Sequence, residues 1–308
     1  MAIFLLLLLV GSLWAGESTG ESCYQFLKLN LVSYSSGLGE ISSPLAGSPD
    51  AVFIAPSSAS FQRTRSFFVS YNRLYADIQA GLIGYFTPLA SGARIGGNLK
   101  YVNYGEMTKT NEQGDVIGEF SAQSLAISGF YTRSLLKKLA ISATATFIYE
   151  GIDDYSSFGL ALDAGALMRL SRGRGGIGFQ AKHLGFQLKG FTDEHKDPLP
   201  VLFQLGGNWN PEGLPLKLYG EIEKSLDDPI IFKVGASVVG LEPVLLSAGY
   251  TLRERVEGEA FKEDEKYNGL SFGLGLKLEE QNLLFHYAYS SYGLLGATHK
   301  FSLSFRRR

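Results

Sequence analysis

The 308-residue sequence has one cysteine, few charged residues and no surplus of basic side chains. Charged residues make up 19% of the chain, below the ~25% that is usual for soluble domains, so a large solvated surface is not indicated. The net charge of −2 leaves no excess of Lys and Arg to neutralise phosphates, which argues against nucleic acid as a partner. The single cysteine, Cys23, cannot form an intramolecular disulfide.

Long apolar runs are also missing, with one exception at the start of the chain. Residues 3–14 are almost continuously apolar, but this run is too short to cross the ~30 Å of hydrocarbon in a bilayer. Small residues follow at Ala15 and Gly16, so we interpret residues 1–16 as a secretory signal peptide. A short buried helix is the alternative interpretation.

Alternating polarity is the main pattern that the sequence does contain. In residues 269–278 every second residue is Leu or Phe, and the residues between them are Gly, Ser or Lys. A period of two is typical of a strand with one apolar and one polar face. Many of these runs reach the ~9–11 residues that a tilted strand needs to cross a bilayer, which is longer than most strands of soluble proteins.

We count fourteen such strands between residues 64 and 308. The longer connections, at 105–119, 188–199 and 254–266, alternate along the chain with tight turns. Outer-membrane barrels have long external loops, short periplasmic turns and both chain ends in the periplasm. The sequence therefore predicts an all-β protein, a transmembrane antiparallel β-barrel of about fourteen strands in the bacterial outer membrane and in contact with its lipid.

A barrel of fourteen strands is too wide for its own side chains to fill the lumen. Residues 17–63 lie outside the predicted strands and are rich in Gly, Ser, Pro and apolar residues, so we expect them to form a plug inside the barrel. A periplasmic arm is the alternative. The residues expected to pack within the lumen are Phe26, Leu27, Leu38, Phe53 and Pro56.

Motifs for chemistry are weak. Residues 173–178 fit the G-x-G-x-x-G pattern of dinucleotide-binding loops, but that site needs a helix after the glycines and the residues here continue an alternating strand. The four histidines are scattered without metal-ligand spacing. We therefore expect no cofactor, no metal site and no enzymatic activity.

Several short segments occur in an order that resembles the PorV/PorQ family. They are residues 24–29 (YQFLKL), 36–40 (SGLGE), 50–56 (DAVFIAP), 154–159 (DYSSFG) and 197–200 (DPLP). That family belongs to the FadL-like fourteen-stranded barrels. The resemblance implies a non-enzymatic outer-membrane component of type IX secretion that docks a PorZ-like surface protein.

The predicted external loops are the expected docking surface, because they mix charged residues with exposed aromatic ones. The candidate residues are Phe191 and Asp193 in one loop and Phe261 and Glu263 in another. Two other functions remain open at this point. A FadL-like conduit for hydrophobic small molecules would have the same architecture, and a purely structural outer-membrane protein would need no ligand or partner.

Overall fold

The computed structural model describes residues 22–46, 48–170, 174–192, 196–253 and 267–307. Fourteen antiparallel strands close into one barrel, in which each strand pairs with its neighbours in the chain and the first strand pairs with the last. This confirms the predicted fold class. Within the described ranges, no helix has the length and apolarity that a bilayer span requires.

The strands vary from 8 to 21 residues in length. They are β1 (Arg65–Arg73), β2 (Gln79–Pro88), β3 (Arg94–Thr110), β4 (Val116–Leu136), β5 (Leu139–Ile152), β6 (Tyr155–Arg169), β7 (Gly175–Lys189), β8 (Leu202–Trp209), β9 (Leu216–Ser225), β10 (Ile231–Val238), β11 (Val244–Arg253), β12 (Leu270–Leu278), β13 (Leu283–Ser291) and β14 (Ala297–Arg307).

The alternation in the sequence corresponds to the two faces of the wall. In β12, Phe272 and Leu274 point outward and are 50% and 49% exposed, whereas Ser271 points into the lumen and is 1% exposed. Exposed Leu, Ile, Val, Phe and Tyr side chains continue around the outside of the barrel. An apolar outer belt on a closed barrel is what a transmembrane barrel requires, because closure leaves no unpaired backbone groups in lipid.

The two ends of the barrel differ. We call the end at which β1 begins and β14 ends the periplasmic end, and the opposite end the external end. The two longest stretches of chain between consecutive strands follow β7 and β11, and both of these strands end at the external end. The prediction of a long loop at 105–119 was wrong, because β3 and β4 continue as a two-stranded ribbon joined by residues 111–115. The ribbon extends beyond the pairing with β2 and β5, so both of its faces are exposed to water and the alternation is weak there.

Residues 22–46 and 48–62 occupy the lumen and are called the plug segment below. The segment contains one short helix, α1 (Ser33–Ser36), and 3-10 turns at Gln25–Lys28, Asp50–Phe53 and Pro56–Phe61. It begins at the external end, where the backbone N–H of Cys23 donates to Pro198 O. It ends at the periplasmic end, where Arg94 donates to Gln62 O. The plug segment therefore runs the length of the barrel before β1 begins.

Strands β1 to β5 hold the plug segment through apolar contacts. Phe53 stacks on Phe68 with ring centroids 5.1 Å apart and meets Phe86 and Phe130 edge-on at 6.2 and 6.5 Å. Each aromatic pair of this kind contributes about 0.5–1.5 kcal/mol beyond the burial of its surface. A Cβ at Gly84 of β2 would overlap the ring of Phe53, so the wall leaves room for this side chain.

Candidate functional site

Strands β8 to β14 hold the plug segment through buried polar and charged groups. Lys300 of β14 donates to Glu40 Oε1 at 2.7 Å and to Asn30 O at 2.8 Å. His286 of β13 lies 2.7 Å from Asp50 Oδ2 through its Nδ1 atom, and Ser304 donates to the other carboxylate oxygen of Asp50. A buried carboxylate that lacked these partners would cost several kcal/mol, so the pairs fix where the plug segment sits.

A second polar contact joins the plug segment to β9 and β10. The backbone N–H groups of Ser42 and Ser43 donate to Glu221 Oε2 at 3.0 and 2.6 Å. Lys233 donates to Glu221 at 3.3 Å, to Glu223 and to the backbone oxygen of Glu40. The carboxylate of Glu221 is buried, but it accepts hydrogen bonds from two backbone N–H groups and from Lys233. These bonds compensate for its loss of hydration.

At the external end, Asp227 in the connection between β9 and β10 holds the start of the plug segment. Lys28 Nζ lies 3.3 Å from Asp227 Oδ1 and 2.5 Å from Asp228 Oδ2. Gln25 Nε2 donates to Asp227 Oδ2 at 2.7 Å. Burial of Asp227 opposes ionisation, but hydrogen bonds from Ser22, Ser225 and Gln25 and the charge of Lys28 outweigh it. The pKa of Asp227 therefore lies well below its usual range.

The backbone of the plug segment lies directly against glycines of β10 and β11 at residues 37–40, which we call the seal. A Cβ at Gly249 of β11 would collide with the backbone of Leu38 and Gly39, and a Cβ at Gly235 of β10 would collide with Leu38 O. Thr251 Oγ1 donates to Gly39 O at 2.9 Å just above this contact. Glycine at both wall positions lets the two backbones meet, so the seal closes that side of the lumen.

An external cavity of about 440 Å³ lies between the seal and the external end. Its wall is largely polar and includes Ser128, Thr144, Gln180 and Gln204. The plug segment contributes Leu27, Leu29, Phe53 and Ile54. The cavity can therefore hold a small molecule that presents polar groups to the wall and an apolar part to the plug segment.

A β-bulge turns two adjacent side chains of β7 toward the external cavity. Leu162 pairs with Leu184 and Ala164 pairs with Ala181, so Lys182 and His183 together face Asp163. His183 has φ +61°, a left-handed conformation that is uncommon for residues other than glycine. Its backbone N–H donates to Asp163 Oδ1 at 2.7 Å and its Nδ1 to Pro200 O at 3.0 Å.

Sequence reasoning missed this cluster, although the sequence contains a signal for it. The outward apolar residues of β7 are at odd positions in Ile177 and Phe179 but at even positions in Leu184, Phe186 and Leu188. Such a change of phase marks one extra residue in a strand, which is what a bulge inserts.

A separate periplasmic cavity of about 350 Å³ lies on the other side of the seal. Tyr34 and Tyr219 both line it, and their hydroxyl groups are 3.0 Å apart. The ring of His286 lies 5.2 Å from that of Tyr34. On β11, Thr251 lines the external cavity and Ser247 the periplasmic cavity, with Gly249 and the seal between them.

The structure places the residues that were predicted as plug residues in the lumen. Phe26, Leu27, Leu38 and Phe53 are 0–7% exposed, and the half-buried Pro56 lines the external cavity. Of the residues predicted to dock a partner, Phe191 is half-buried in the connection between β7 and β8. Asp193, Phe261 and Glu263 lie outside the described residues. In the described part of the chain, no group of three or more His, Cys, Asp or Glu residues is arranged to hold a metal ion.

Comparison with known proteins finds likeness in structure only. No family model matches the sequence, and no curated protein matches it. The toluene transporter TodX of Pseudomonas putida superposes with a TM-score of 0.65 at 11% identity, over 91% of this chain and 99% of TodX. The toluene transporter TbuX of Ralstonia pickettii gives 0.65 at 8% identity, over 93% and 100%. A FadL homologue of Pseudomonas aeruginosa gives 0.55 at 12% identity, over 88% and 97%.

At these identities the likeness shows the fold, which is that of the FadL-like outer-membrane barrels. Together with the apolar outer belt, this places the chain in the bacterial outer membrane. The matched structures give no support to the more specific PorV/PorQ resemblance, which stays a prediction from the sequence.

Proposed function

We propose that this barrel is a FadL-like conduit, which carries small molecules with an apolar part across the outer membrane through its lumen. The observation that carries the proposal is the arrangement of two cavities in series, an external one and a periplasmic one, with the seal between them. A barrel that served only as a scaffold would not need two cavities within its lumen. Solved barrels of the same fold are described as toluene transporters and as a monoaromatic hydrocarbon channel, which supports the same function.

Passage through such a conduit requires the seal to move while the rest of the plug segment stays attached. The contacts are suited to this. The seal is held by hydrogen bonds and ion pairs to β10, β11 and β14, which water can replace as they break. The apolar contacts of Phe53 with β1, β2 and β4 have no such replacement, so they act as the fixed side.

A flux assay tests the proposal. The purified barrel is reconstituted into vesicles that enclose a dye-coupled toluene-oxidising enzyme, and toluene or a larger aromatic hydrocarbon is added outside. We expect faster oxidation than in vesicles that contain an unrelated fourteen-stranded barrel with a closed lumen. Because toluene also crosses lipid unaided, the rate is compared at several ratios of protein to lipid. A rate that does not depend on the amount of barrel would contradict the conduit function.

A second candidate function rests on the segment order in the sequence. The PorV/PorQ resemblance supports a non-enzymatic docking barrel of type IX secretion with a PorZ-like surface partner. Under this function, the connection between β7 and β8, with the half-buried Phe191, belongs to the docking surface. Replacing residues 190–197 by a short Gly-Ser loop should leave the barrel folded and release the partner from intact cells. Unchanged retention of the partner would remove the docking role from this loop.

A further inference from the structure

Lys182 is a charged residue of the external cavity whose side chain is not needed to hold the plug segment or the wall together. It projects from the bulge of β7 and lines the cavity. Among the described residues, no group forms a hydrogen bond or an ion pair with its ammonium group. The other lysines of the cavity wall are bound. Lys233 and Lys300 pair with glutamates, and Lys100 donates to Leu27 O at 3.0 Å and Leu29 O at 2.8 Å.

The carboxylates around Lys182 are already engaged. Lys182 is attracted by the carboxylates of Asp163, Glu221 and Glu223, but none of them lies within ion-pair distance of its ammonium group. One oxygen of Asp163 accepts the backbone N–H of His183, and both glutamates are bound to Lys233. Lys182 therefore has all three N–H donors available to a molecule in the cavity.

The bulge of β7 directs the side chain of Lys182 into the external cavity. Without the bulge, Lys182 and His183 would point to opposite faces of the wall, and one of them would face lipid. The bulge requires the left-handed conformation of His183, which costs free energy for a residue with a Cβ. The hydrogen bonds from His183 to Asp163 and Pro200 hold this conformation in place. Conformations of this kind are commonly found at functional sites.

We propose that Lys182 binds the oxyanion of a small organic anion in the external cavity, with Asp163 limiting the affinity. The anionic group lies against the polar wall at Lys182, and the apolar part of the molecule lies against Leu27, Leu29 and Leu202, which also line the cavity. A compact carboxylate with an apolar body fits both surfaces and the cavity volume of about 440 Å³. This inference rests on the proposed conduit function, because it names the class of molecule that the conduit takes up.

Equilibrium binding to the full-length protein in detergent tests the inference, with benzoate, toluene and inorganic phosphate as probes. Benzoate and toluene have similar apolar bodies and differ in charge, whereas phosphate has the charge without the body. We expect benzoate to bind at least about tenfold more tightly than toluene, the size of one charge-assisted hydrogen bond. Tight binding of phosphate would show that the site takes inorganic anions and would overturn the organic ligand class.

Three variants separate the role of Lys182 from a general effect of charge. Lys182→Met keeps most of the side-chain volume and should weaken benzoate binding about tenfold or more without affecting toluene. Asp163→Asn keeps an acceptor for the N–H of His183 and removes the nearby negative charge, so it should strengthen benzoate binding several-fold. Lys109→Met is the control, because Lys109 lies on the ribbon of β3 and β4, paired with Asp153 and away from both cavities, and benzoate binding should not change.

Lys182→Met should weaken benzoate binding and Asp163→Asn should strengthen it, so the test stays decisive if one variant folds poorly. The heat-modifiable electrophoretic mobility of each variant reports independently whether its barrel is folded. Equal binding of benzoate to the wild type and to Lys182→Met, or weaker binding by Asp163→Asn, would overturn the inference. The conduit function fails separately. Benzoate binding without any flux would remove the conduit and leave the anion site, whereas toluene flux without benzoate binding would do the reverse.

Discussion

The two sides of the lumen hold the same plug segment by different physical means. Toward β1 to β5 the contact is mainly an aromatic and aliphatic cluster around Phe53, to which Lys100 adds hydrogen bonds to plug carbonyl groups. Toward β8 to β14 it is mainly a set of ion pairs and hydrogen bonds around Glu40, Asp50 and Glu221. Apolar contacts are strong but not directional, and they fail only when the surfaces separate into water. Polar contacts fix position closely, and water or a ligand can replace them one at a time. The difference indicates that the plug segment is anchored on one side and movable on the other.

The largest expected effect comes from removing both sides together. Deleting residues 24–62 should leave a folded barrel, because every strand keeps both of its neighbours. The deleted barrel should conduct small ions in planar bilayers, whereas the intact protein should conduct little, since a fourteen-stranded lumen is wide enough for water once it is emptied. High conductance of the intact chain would contradict the assignment of these residues as a plug.

Truncation on the apolar side should reduce stability without opening the lumen. Phe53→Ala removes the ring that contacts Phe68, Phe86 and Phe130 and should cost about 3–5 kcal/mol in the free energy of unfolding. The measurement is urea unfolding of the barrel in lipid vesicles, with conductance recorded in parallel. Phe301→Ala, on the lipid-facing side of β14, is a control for the loss of an aromatic ring outside the lumen. A large rise in conductance of Phe53→Ala would show that the seal depends on the apolar side.

Removing a charge on the polar side should open the channel more often and reduce stability less than the loss of Phe53. Glu40→Gln keeps the shape of the side chain but loses the ion pair with Lys300 at the seal, and it should cost about 1–3 kcal/mol while increasing the frequency of channel openings. Glu212→Gln removes a carboxylate that pairs with Arg174 at the periplasmic end, outside both cavities, and serves as the matched control. If Glu40→Gln left the openings as rare as in the wild type, the polar side would not be the movable one.

The smallest effect concerns pH at the external end. The depressed pKa of Asp227 means that its ionised form stabilises the contact with Lys28 and Gln25 at every pH above the usual value of about 4, and that this stabilisation is lost only as the pH falls through the lower folded-state value. The protection of the amides of residues 22–28 from hydrogen exchange, measured relative to the intrinsic rate at each pH, should therefore be the same from about pH 8 to about pH 5. A loss of protection that began near pH 6 would point to another titrating group.

A native thiol reports on the same contact. Burial, with the charges of Asp197 and Glu150 adding to it, raises the pKa of the Cys23 thiol to about 12, so little thiolate is present at neutral pH. We expect slow reaction of Cys23 with a maleimide in the wild type and a faster reaction in Asp227→Asn, in which the external anchor is weakened. Equal rates would show that Asp227 does not hold this part of the plug segment.

The strands of the wall could be predicted from the sequence, whereas the contacts of the plug segment and the position of Lys182 could not. Alternation identifies a strand because the two faces of a wall meet different solvents, and Phe272, Leu274 and Ser271 each lie on the face that it predicts. The pairing of Glu40 with Lys300 joins residues 260 positions apart, and no local pattern encodes it. The ribbon of β3 and β4 was mistaken for a loop because both of its faces meet water, and Lys182 was missed because a bulge shifts the phase of a single strand.

The central claim is that the seal divides the lumen of the resting protein into two cavities. Labelling of single cysteines at two positions of β11 tests it most directly: Thr251→Cys lines the external cavity and Ser247→Cys the periplasmic one, each in a Cys23→Ser background. With a membrane-impermeant thiol reagent added to intact cells, the account predicts that Thr251→Cys reacts and that Ser247→Cys reacts at least about tenfold more slowly, in line with a barrier of more than about 1.4 kcal/mol. Equal labelling of both positions from outside would show a continuous channel and contradict the seal.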